Sequence, residues 1–427
     1  MASTRSIISI RLKTSATTNA RMTDSGYPTR IGLEQALEIV AACAAQHRLP
    51  PEASALAEAQ GRVLAEDVHA PHPLPPFANS AMDGFALRGA NLPTDGERAF
   101  ELIGDVFAGA TAAPAVEPGQ CVRITTGAPM PPGTDTVVIK ENVVVDGTRV
   151  VVKLGEKAGT NVRRAGEDYA EGDLALMAGT PLGAAQLAVV SAFGIAQIQA
   201  RRAPRIAVIA TGNELVPAGT PLGFGQIHES NAVMLAALAR DSGMRVTLQR
   251  CVRDDPDALR VALLEAAAEA DIIVSSGGVS AGEADHLPRV LQTIGETRFH
   301  KVRLKPGMPT LFGQIGACLY FGLPGNPVAS AVTFRVFVRF AARSMLGVTT
   351  VPKPPRARLA APVHKRHARA EFARCCLHVD DAGVQWAMPH AKQGSGMLRG
   401  LAETDALALL PEGAREFAAG DVVMLWP

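Results

Sequence analysis

The strongest constraint on the fold is a regular alternation of apolar strands and amphipathic helices in the second half of the chain. IAVIATG (206–212) and DIIVSSGG (271–278) are continuous apolar runs that end in glycine-containing loops. SNAVMLAALARDSG (230–243) and DPDALRVALLEAAAEA (255–270) have helical spacing. Strands that are apolar on both faces and joined by helices are typical of parallel sheets. Residues 203–351 are therefore predicted to form a three-layer α/β/α domain with a mostly parallel sheet.

Glycine-rich loops follow the predicted strands, at the edge where open α/β sheets bind ligands. The clearest are SSGGVSAG (275–282) and LPGNP (323–327). Their backbone N–H groups could face a phosphate, and LPGNP also begins a helix. The candidate substrate-binding residues in these loops are Ser275, Gly277, Gly278, Gly282, Gly325, Asn326 and Pro327.

Acidic residues recur in the same row of loops. They are Glu214, Asp254, Asp255, Glu283 and Asp285. Clustered carboxylates without histidine or cysteine suit a hard cation, and Mg²⁺ bridging to a phosphate is the common case. A single acid in this setting is more commonly a helix cap, as before Pro256. Because acids occur in three successive loops, the pattern favours a Mg²⁺ site with Glu214, Asp254 and Asp285 as candidate ligands.

Two basic segments are candidates for anion contacts. Lys301, Arg303 and Lys305 take alternate positions of RFHKVRLKPG, which predicts that they project from one strand face. Beside a phosphate site they would form an anion clamp, and otherwise a solvated edge. HKRHAR (364–369) is better interpreted as a solvated loop or an oxyanion contact than as a nucleic-acid site. The chain has no GxGxxG at its first βα unit and no GxxxxGK[ST], which disfavours dehydrogenases and P-loop ATPases.

The rest of the chain divides into parts of different character, so the fold class is α/β multidomain. Residues 29–76 and 166–202, with a helix predicted at about 33–46, are expected to form one discontinuous helical and extended domain. Residues 77–165 are rich in Gly, Pro, Thr and Val and predict an inserted β-rich domain. After the stiff PKPP linker, alternation over 352–427 predicts a C-terminal β-barrel domain.

Composition excludes several classes of function. The chain has 427 residues, of which 47% are apolar, enough for several packed cores. A net charge of +1 and 4% aromatic residues argue against nucleic-acid binding, and no apolar run approaches the roughly 20 residues of a membrane helix. The six cysteines show neither metal-finger spacing nor a disulfide framework. We therefore expect buried thiols in a reducing compartment, the cytoplasm.

The first residues differ in composition from the rest of the chain. MASTRSIISIRLKTSATTNARMTDSG has no acid before Asp24 and holds a second methionine, Met22. Such a composition fits a disordered leader over 1–28 or a transit peptide. We expect the disordered leader.

PPFANSAMDGFALR (75–88) surrounds one acid, Asp83, with small residues. Asp-Gly is common turn chemistry, so a turn is the simplest interpretation. The alternative is a functional carboxylate, which would have to reach the strand-end loops from the β-rich domain. The segment by itself does not decide between these two interpretations.

Several segments, taken together and in order, resemble one family. They are NSAMDGFALR, RITTGAPMPPGTDTVV, ATGNELV, GQIHESNAVML, RDDPDALR, SSGGVSAGEADH, KPGMP and GLPGNPVASAVTF. From about residue 30 to the end they are similar to the molybdopterin molybdenumtransferases, that is, the MoeA family and the gephyrin E domain. The resemblance is specific because no single motif has to carry it.

The resemblance implies an enzyme that is an elongated homodimer with its active site between subunits. Its substrates would be molybdate and adenylylated molybdopterin, with Mg²⁺ as the cation; AMP leaves and molybdenum stays on the dithiolene. Possible partners are a molybdopterin adenylyltransferase and apo-molybdoenzymes, with no nucleic acid and no membrane. By position, the family's important residues correspond to Asp83, Thr126, Glu214, Asp254, Asp285, Lys301, Lys305, Pro324, Pro327 and Ser395. On this basis Asp83 is functional.

The implied chemistry agrees with these residue types. Molybdate is an oxyanion, which Lys301, Lys305 and backbone N–H groups can bind. A Mg²⁺ ion held by Asp254 and Asp285 could neutralise the pyrophosphate as its bond breaks.

Two positions depart from the family pattern. Met308 in KPGMP stands where many relatives have lysine, and Gly396 in QGSGMLRG stands where a QGSH-type segment is common. The first departure removes a cationic contact and the second a side chain beside Ser395.

Two alternatives stay open. One is an adenylyltransferase-type enzyme or a nicotinamide-nucleotide amidase with the same α/β domain, which NSAMDG and TTGAP disfavour. The other is a non-catalytic molybdopterin-binding scaffold or carrier, against which the presence of Asp83, Asp254, Asp285 and Lys305 argues.

Overall fold

The architecture is that of a computed structural model, which describes residues 21–22, 26–279, 286–348 and 354–426. Gly282, Glu283 and Asp285 lie outside the described residues, as does most of the predicted leader.

The described chain begins with short strands and one long helix. They are β1 (Arg21–Met22), β2 (Pro28–Ile31), α1 (Leu33–Gln46), β3 (Pro51–Ala55) and β4 (Val68–His69). Helix α1 confirms the helix predicted at 33–46, and Leu33, Leu37 and Val40 form its buried face. That face belongs to the same buried cluster as the central α/β sheet. Helix α1 falls within the segment 29–76, which was assigned to the discontinuous domain. In the structure it packs on the α/β domain, which covers its apolar face.

The inserted segment is β-rich, as its composition predicts. Its strands are β5 (Asn79–Ser80), β6 (Gly84–Leu87), β7 (Glu97–Val106), β8 (Gln120–Ile124), β9 (Thr136–Ile139), β10 (Val143–Asp146), β11 (Arg149–Lys153) and β12 (Val162–Arg163). Six of them form a sheet in the order β10-β11-β7-β8-β6-β9. Glycine is required at position 84, because a Cβ there would lie 2.1 Å from the carbonyl oxygen of Val138 on β9.

The chain then returns to the segment that preceded the insertion. It forms β13 (Leu174–Leu176), α2 (Ala184–Ala192) and β14 (Gln197–Arg201). Strand β14 pairs antiparallel with β3, and β13 pairs antiparallel with β4. These pairs join the two halves that were predicted from the sequence to form one discontinuous domain.

The α/β domain follows the predicted alternation. Its elements are β15 (Arg205–Thr211), β16 (Leu215–Val216), β17 (Ile227–His228), α3 (Asn231–Asp241), β18 (Arg245–Val252), α4 (Pro256–Glu269), β19 (Ile272–Ser276), α5 (Leu287–Ile294), β20 (Glu296–Val302), β21 (Leu304–Lys305), β22 (Leu311–Ile315), β23 (Cys318–Leu323), α6 (Pro327–Thr333), a π-helical turn (Phe334–Val338) and α7 (Arg339–Met345).

The sheet of this domain has the order β1-β2-β20-β22-β23-β19-β15-β18. Strands β18, β15, β19 and β23 run parallel, whereas β22 is antiparallel to β23. A two-residue connection with Gly316 at φ +58 joins β22 to β23, and so short a loop permits only an antiparallel pair. Alternate residues of β15 enter different cores: Ile206 and Val208 lie in one, Ala207 and Ile209 in the other. The sheet is therefore covered on both faces.

The C-terminal segment forms the predicted barrel. Its elements are β24 (Arg356–Leu359), β25 (Val363–Lys365), β26 (Ala370–Val379), β27 (Gln385–Pro389), α8 (Leu398–Ala402), β28 (Ala406–Leu410), β29 (Arg415–Phe417) and β30 (Val422–Trp426). Five strands close in the order β26-β27-β24-β30-β28 through a further pairing of β28 with β26. Strand β21 of the α/β domain pairs with β26. The barrel is thereby fixed to the segment that carries Lys305.

Two further expectations concern the whole chain. Cys43, Cys121, Cys318 and Cys375 are buried, which confirms the expectation of core thiols. None of the helices within the described ranges is both long enough and apolar enough to cross a bilayer.

An ion-pair network holds the segment where the chain passes from β14 into the α/β domain. Asp271, whose side chain is 11% exposed, accepts hydrogen bonds from the Arg202 guanidinium at 2.8 and 2.9 Å and from the backbone N–H of Arg205 at 2.8 Å. Burial alone would raise the pKa of Asp271, but the hydrogen bonds from Arg202 and Arg205 outweigh it, so this pKa lies below its ordinary value. The network ties the connection between β14 and β15 to the start of β19.

We predict that Asp271→Asn lowers the free energy of unfolding by about 2–3 kcal/mol at neutral pH, because it leaves two guanidinium groups without their buried partner. Since the folded-state pKa is depressed, this contribution is present above the unfolded pKa of about 4 and is lost as the pH falls through the folded value. Denaturant unfolding from pH 7 to pH 3 measures both effects. Asp257→Asn is the control, because the Asp257 side chain is 92% exposed. Equal stability of the two variants would contradict the prediction.

Candidate active site

A cavity of roughly 480 Å³ lies at the carboxyl ends of the parallel strands. Thr211 at the end of β15, Ser276–Val279 at the end of β19 and Pro324–Pro327 after β23 line it, together with Asn231 at the start of α3. Strands that are apolar on both faces can offer polar groups only where they end. The cavity thus occupies the position that open α/β sheets use for ligands.

The glycine loop after β19 has a backbone that other residues would strain. Gly277 has φ +98 and Gly278 φ +63, both in the left-handed region. A Cβ on Gly277 would lie 2.4 Å from the carbonyl oxygen of Thr211. Gly277 and Gly278 therefore line the cavity, as expected from the sequence, and at Gly277 the requirement is steric.

Asn231 connects the two glycine-rich loops. Its side-chain amide donates to the hydroxyl of Ser276 at 2.8 Å and to the carbonyl of Gly325 at 2.6 Å. Its Oδ1 atom is buried and finds no partner among the described residues. Asn231 thus presents an acceptor, held in a fixed orientation, at the cavity wall.

Acidic side chains give the cavity a negative lining. Glu214, Glu229 and Asp254 line it, and no lysine or arginine does so among the described residues. The Asp254 carboxylate accepts a hydrogen bond from the Thr211 hydroxyl at 3.2 Å. By contrast, Glu229 accepts from the N–H of Ala232 near the start of α3. Glu214 and Asp254 are therefore the candidate metal ligands in the described wall.

The neighbouring acid has a structural role. Asp255 caps α4 through the N–H of Ala258 at 2.9 Å. Asp255 thus caps a helix, whereas Asp254 lines the cavity. No cluster of three or more potential metal-ligating side chains occurs within the described ranges, and Asp285 lies outside them.

Ser275 lies apart from the cavity, although it was a candidate for substrate binding. Its side chain is fully buried, and its hydroxyl lies 2.7 Å from that of Tyr320. The next residue, Ser276, lines the cavity instead. Alternation along β19 explains the difference, since adjacent residues face opposite sides of the sheet.

The C-terminal domain brings Ser395 to the loop after β23. The Asn326 amide donates to the Ser395 hydroxyl at 3.1 Å, and the N–H of Val328 donates to its carbonyl at 3.0 Å. A Cβ on Gly396 would meet Asn326 Oδ1 at an ordinary 3.8 Å. The local packing therefore does not require glycine at position 396.

Arg374 orders the segment that carries Ser395. It is 1% exposed, and its guanidinium donates to the carbonyls of Lys392, Gly394 and Met397. Burial lowers the pKa of Arg374. Sequence reasoning missed this residue because EFARCCLHV shows only strand alternation, and the three acceptors are backbone groups about twenty positions away.

The prediction that Lys301, Arg303 and Lys305 share one strand face rested on an uninterrupted strand, which the structure does not show. Strand β20 ends at Val302 and β21 is Leu304–Lys305, with Lys301 at φ +66. Arg303 pairs with Glu412 at 2.8 Å and Lys305 with Glu371 at 2.9 Å. The backbone irregularity and the contacts with the barrel replace the expected regular alternation.

Asp83 is the last residue of the three-residue bend that connects β5 to β6. It directly precedes β6, and its Oδ1 accepts from the N–H and the hydroxyl of Thr126, both at 2.8 Å. The backbone hydrogen bond from Thr126, then its hydroxyl hydrogen bond, lower the pKa of Asp83. The carboxylate is exposed, with Lys140 Nζ at 3.8 Å. Asp83 and Thr126 thus form one ionised unit on the β-rich domain, and neither lines the described cavity wall.

A strand-end cavity with glycine loops and a barrel packed beside it define a multidomain α/β protein with a ligand-binding position at the sheet edge. Comparison with known proteins gives the family. Family models match residues 31–194 (MoeA N-terminal region, domain I and II), 207–344 (probable molybdopterin binding domain) and 356–427 (MoeA C-terminal region, domain IV).

Similar proteins agree over most of the length. The molybdopterin molybdenumtransferases of Nostoc sp. and Haemophilus influenzae are 36% and 34% identical, covering 86% and 87% of this chain and 86% and 92% of theirs. The molybdopterin biosynthesis MoeA protein of Pyrococcus horikoshii superposes with a TM-score of 0.80 at 27% identity, covering 93% of this chain and 99% of that one. The chain therefore belongs to the MoeA family of molybdopterin molybdenumtransferases. It is a transferase of molybdenum cofactor biosynthesis.

We predict that Gly277→Ala distorts the cavity, whereas Gly325→Ala does not. The first substitution combines a positive φ with a 2.4 Å contact, and we expect it to cost about 1–3 kcal/mol of stability. At Gly325 a Cβ would meet Gly277 Cα at an ordinary 3.6 Å. Both glycines line the cavity, so the pair is matched. Thermal unfolding of the two variants checks the prediction, which fails if they lose the same stability.

Proposed function

We propose that this protein inserts molybdenum: it takes molybdate and adenylylated molybdopterin, releases AMP and leaves molybdenum on the dithiolene. The observation that carries the proposal is the strand-end cavity, whose glycine loops and acids all fall within the family's molybdopterin-binding region. The loops at Gly277–Gly278 and Pro324–Pro327 are where we expect the pyrophosphate.

The charge of the cavity supports a metal ion. An adenylylated substrate is anionic, and a wall that contains Glu214 and Asp254 would repel it unless a cation lay between them. Carboxylate oxygens are the donors that Mg²⁺ prefers, and the Thr211 hydroxyl already orients Asp254. Glu214 and Asp254 would hold Mg²⁺, with Asp285 as the third predicted ligand. When bound, the ion supplies charge neutralisation at the pyrophosphate.

Molybdate needs hydrogen-bond donors rather than acids. Lys305 supplies a cationic donor beside the barrel, Lys301 is the second predicted donor, and the Ser395 hydroxyl lies against Asn326 at the cavity. We therefore place molybdate between the α/β domain and the C-terminal barrel. This arrangement gives the barrel a part in the reaction as well as in the fold.

Asp83 and Thr126, on the β-rich domain, are expected to complete the active site. Their ionised unit is exposed and lies outside the described lining of the cavity, which supports a site completed by the partner subunit of a homodimer. The negative charge that Thr126 stabilises would then meet the substrate across the interface. Four buried free thiols support a reducing compartment, and we propose the cytoplasm. A molybdopterin adenylyltransferase and apo-molybdoenzymes are the proposed partners.

We predict that the protein releases AMP from adenylylated molybdopterin in a molybdate- and Mg²⁺-dependent manner and that Asp83→Asn lowers this rate about 100-fold. Asparagine keeps the shape and the acceptor toward Thr126 but removes the charge. AMP release and the activation of an apo-molybdoenzyme measure the effect, with circular dichroism as the fold control.

Asp146→Asn is the matched variant, because Asp146 is an exposed acid of the same β-rich domain. We expect it to leave the rate unchanged. Normal turnover in Asp83→Asn would remove Asp83 from the mechanism. Tight pterin binding without AMP release by the unaltered protein would instead favour a carrier.

A further inference from the structure

The C-terminal barrel contacts the α/β domain through a partly buried ion pair. Lys305 and Glu371 are register neighbours on the paired strands β21 and β26. The Lys305 Nζ atom lies 2.9 Å from Glu371 Oε1, and Glu371 as a residue is 6% exposed. A carboxylate that is buried to this extent needs a charged or hydrogen-bonding partner, and Lys305 provides one.

The other oxygen of Glu371 also faces a polar neighbour. Glu371 Oε2 lies 3.0 Å from His367 Nε2. Burial lowers the pKa of His367, Glu371 opposes this, and the nearby Lys305, Arg369 and Lys365 lower it further. His367 is therefore neutral at pH 7, and Lys305 is the charged partner of Glu371. Lys305 thus holds one oxygen of the carboxylate in an ion pair, and the His367 ring lies against the other oxygen without a hydrogen bond to any described residue.

Lys365 adds a buried cation beside the half-buried Lys305. It is 2% exposed, and its ammonium donates to the carbonyls of His367 at 2.8 Å and Gly413 at 2.5 Å. These bonds hold the backbone of the HKRHAR segment against the barrel mouth. Lys365 and His367 of this segment therefore lie against Glu371 and the barrel, whereas His364, Arg366 and Ala368 are exposed, as expected for a solvated loop.

The backbone that carries Lys305 is fixed against the cavity. Gly307 packs on α6, where a Cβ would lie 2.3 Å from Thr333 Cγ2, and Pro309 lines the cavity itself. Lysine has a flexible four-carbon stem, so a fixed backbone alone does not fix its ammonium. The ion pair with Glu371 does so, and it leaves two of the three ammonium hydrogens for another acceptor.

We propose that Glu371 is a positioning residue for the reaction: from the C-terminal barrel it holds the Lys305 ammonium in the orientation that binds the oxyanion substrate. This inference rests on the proposed function, in which Lys305 contacts molybdate. Glu371 itself does not touch the oxyanion, because two like charges would repel each other. It acts through Lys305.

A second ion pair nearby provides the structural comparison. Arg303, two residues before Lys305, pairs with Glu412 of the barrel at 2.8 Å. Glu412 also accepts from the N–H of Leu33 at the start of α1. Glu412 therefore docks the same two domains without contacting Lys305. A role of Glu371 in docking alone would give Glu371→Gln and Glu412→Gln the same effect.

The two explanations predict opposite changes in the KM for molybdate when Glu371 loses its charge. If Glu371 were a bystander, its negative charge would repel molybdate, and Glu371→Gln would lower the KM for molybdate. If it positions Lys305, the loss of the ion pair frees the lysine side chain, and the KM for molybdate rises. Glu371→Asp separates charge from contact, since it keeps the buried charge but withdraws the oxygen by about one C–C bond.

The test is steady-state AMP release with molybdate and adenylylated molybdopterin varied separately. We expect Glu371→Gln and Glu371→Asp to raise the KM for molybdate about tenfold, with less than a threefold change in kcat and in the KM for the pterin. Glu412→Gln should leave the KM for molybdate unchanged. The double variant Lys305→Gln/Glu371→Gln should match Lys305→Gln alone, because Glu371 acts only through Lys305. Melting temperatures control for folding, and Glu371→Asp remains informative if Glu371→Gln does not fold.

Two kinds of failure are distinguishable. If Lys305→Gln raises the KM for molybdate but the Glu371 variants behave like Glu412→Gln or lower it, the positioning role is wrong while the proposed function stands. Additive effects in the double variant would also overturn it. If the unaltered protein releases no AMP in response to molybdate, the proposed function itself fails and the inference fails with it.

Discussion

The site depends on one constraint: the central strands are apolar on both faces. Ile206 to Ala210 alternate between two buried cores, so the sheet can present polar groups only beyond the strand ends. The parallel arrangement of β15, β19 and β23 puts those ends on one edge, where Thr211, Ser276 and the Pro324–Pro327 loop meet around a single cavity. The cavity therefore lies at the strand ends because both faces of the sheet are buried.

The same constraint explains how much the sequence could predict. Helix α1 and the strand-to-helix alternation depend on local patterns and are confirmed, and the glycine loop at Gly277 and Gly278 lines the cavity. Ser275 was assigned to the cavity and lies in the core, because a loop motif does not reveal where the alternation of the strand stops. Lys301 and Arg303 followed a regular pattern that a positive φ and a break between strands interrupt. Sequence reasoning thus predicted which elements form, and it failed at the ends of strands, where the regular alternation stops.

Contacts between residues far apart in the sequence could not be predicted from it. Arg374 binds three backbone carbonyls, which carry no sequence signal, and Glu371 meets Lys305 only because β21 joins the barrel at β26. The two residues are three positions apart on one strand, so they face opposite sides of it. One orders the segment of Ser395, and the other contacts Lys305. A single barrel strand thus supports two separate parts of the site.

Charge divides the site into two regions with different requirements. The described cavity wall has acids and neither lysine nor arginine, whereas the mouth of the barrel gathers Lys305, Lys365 and His367 around Glu371. Under the proposed function both substrates are anions, so the first region needs a metal ion and the second binds through fixed cations. Met308, three residues after Lys305, is uncharged, so the segment from Lys305 to Thr310 carries one cation. The orientation of the Lys305 ammonium therefore matters more in this chain than it would beside a second lysine.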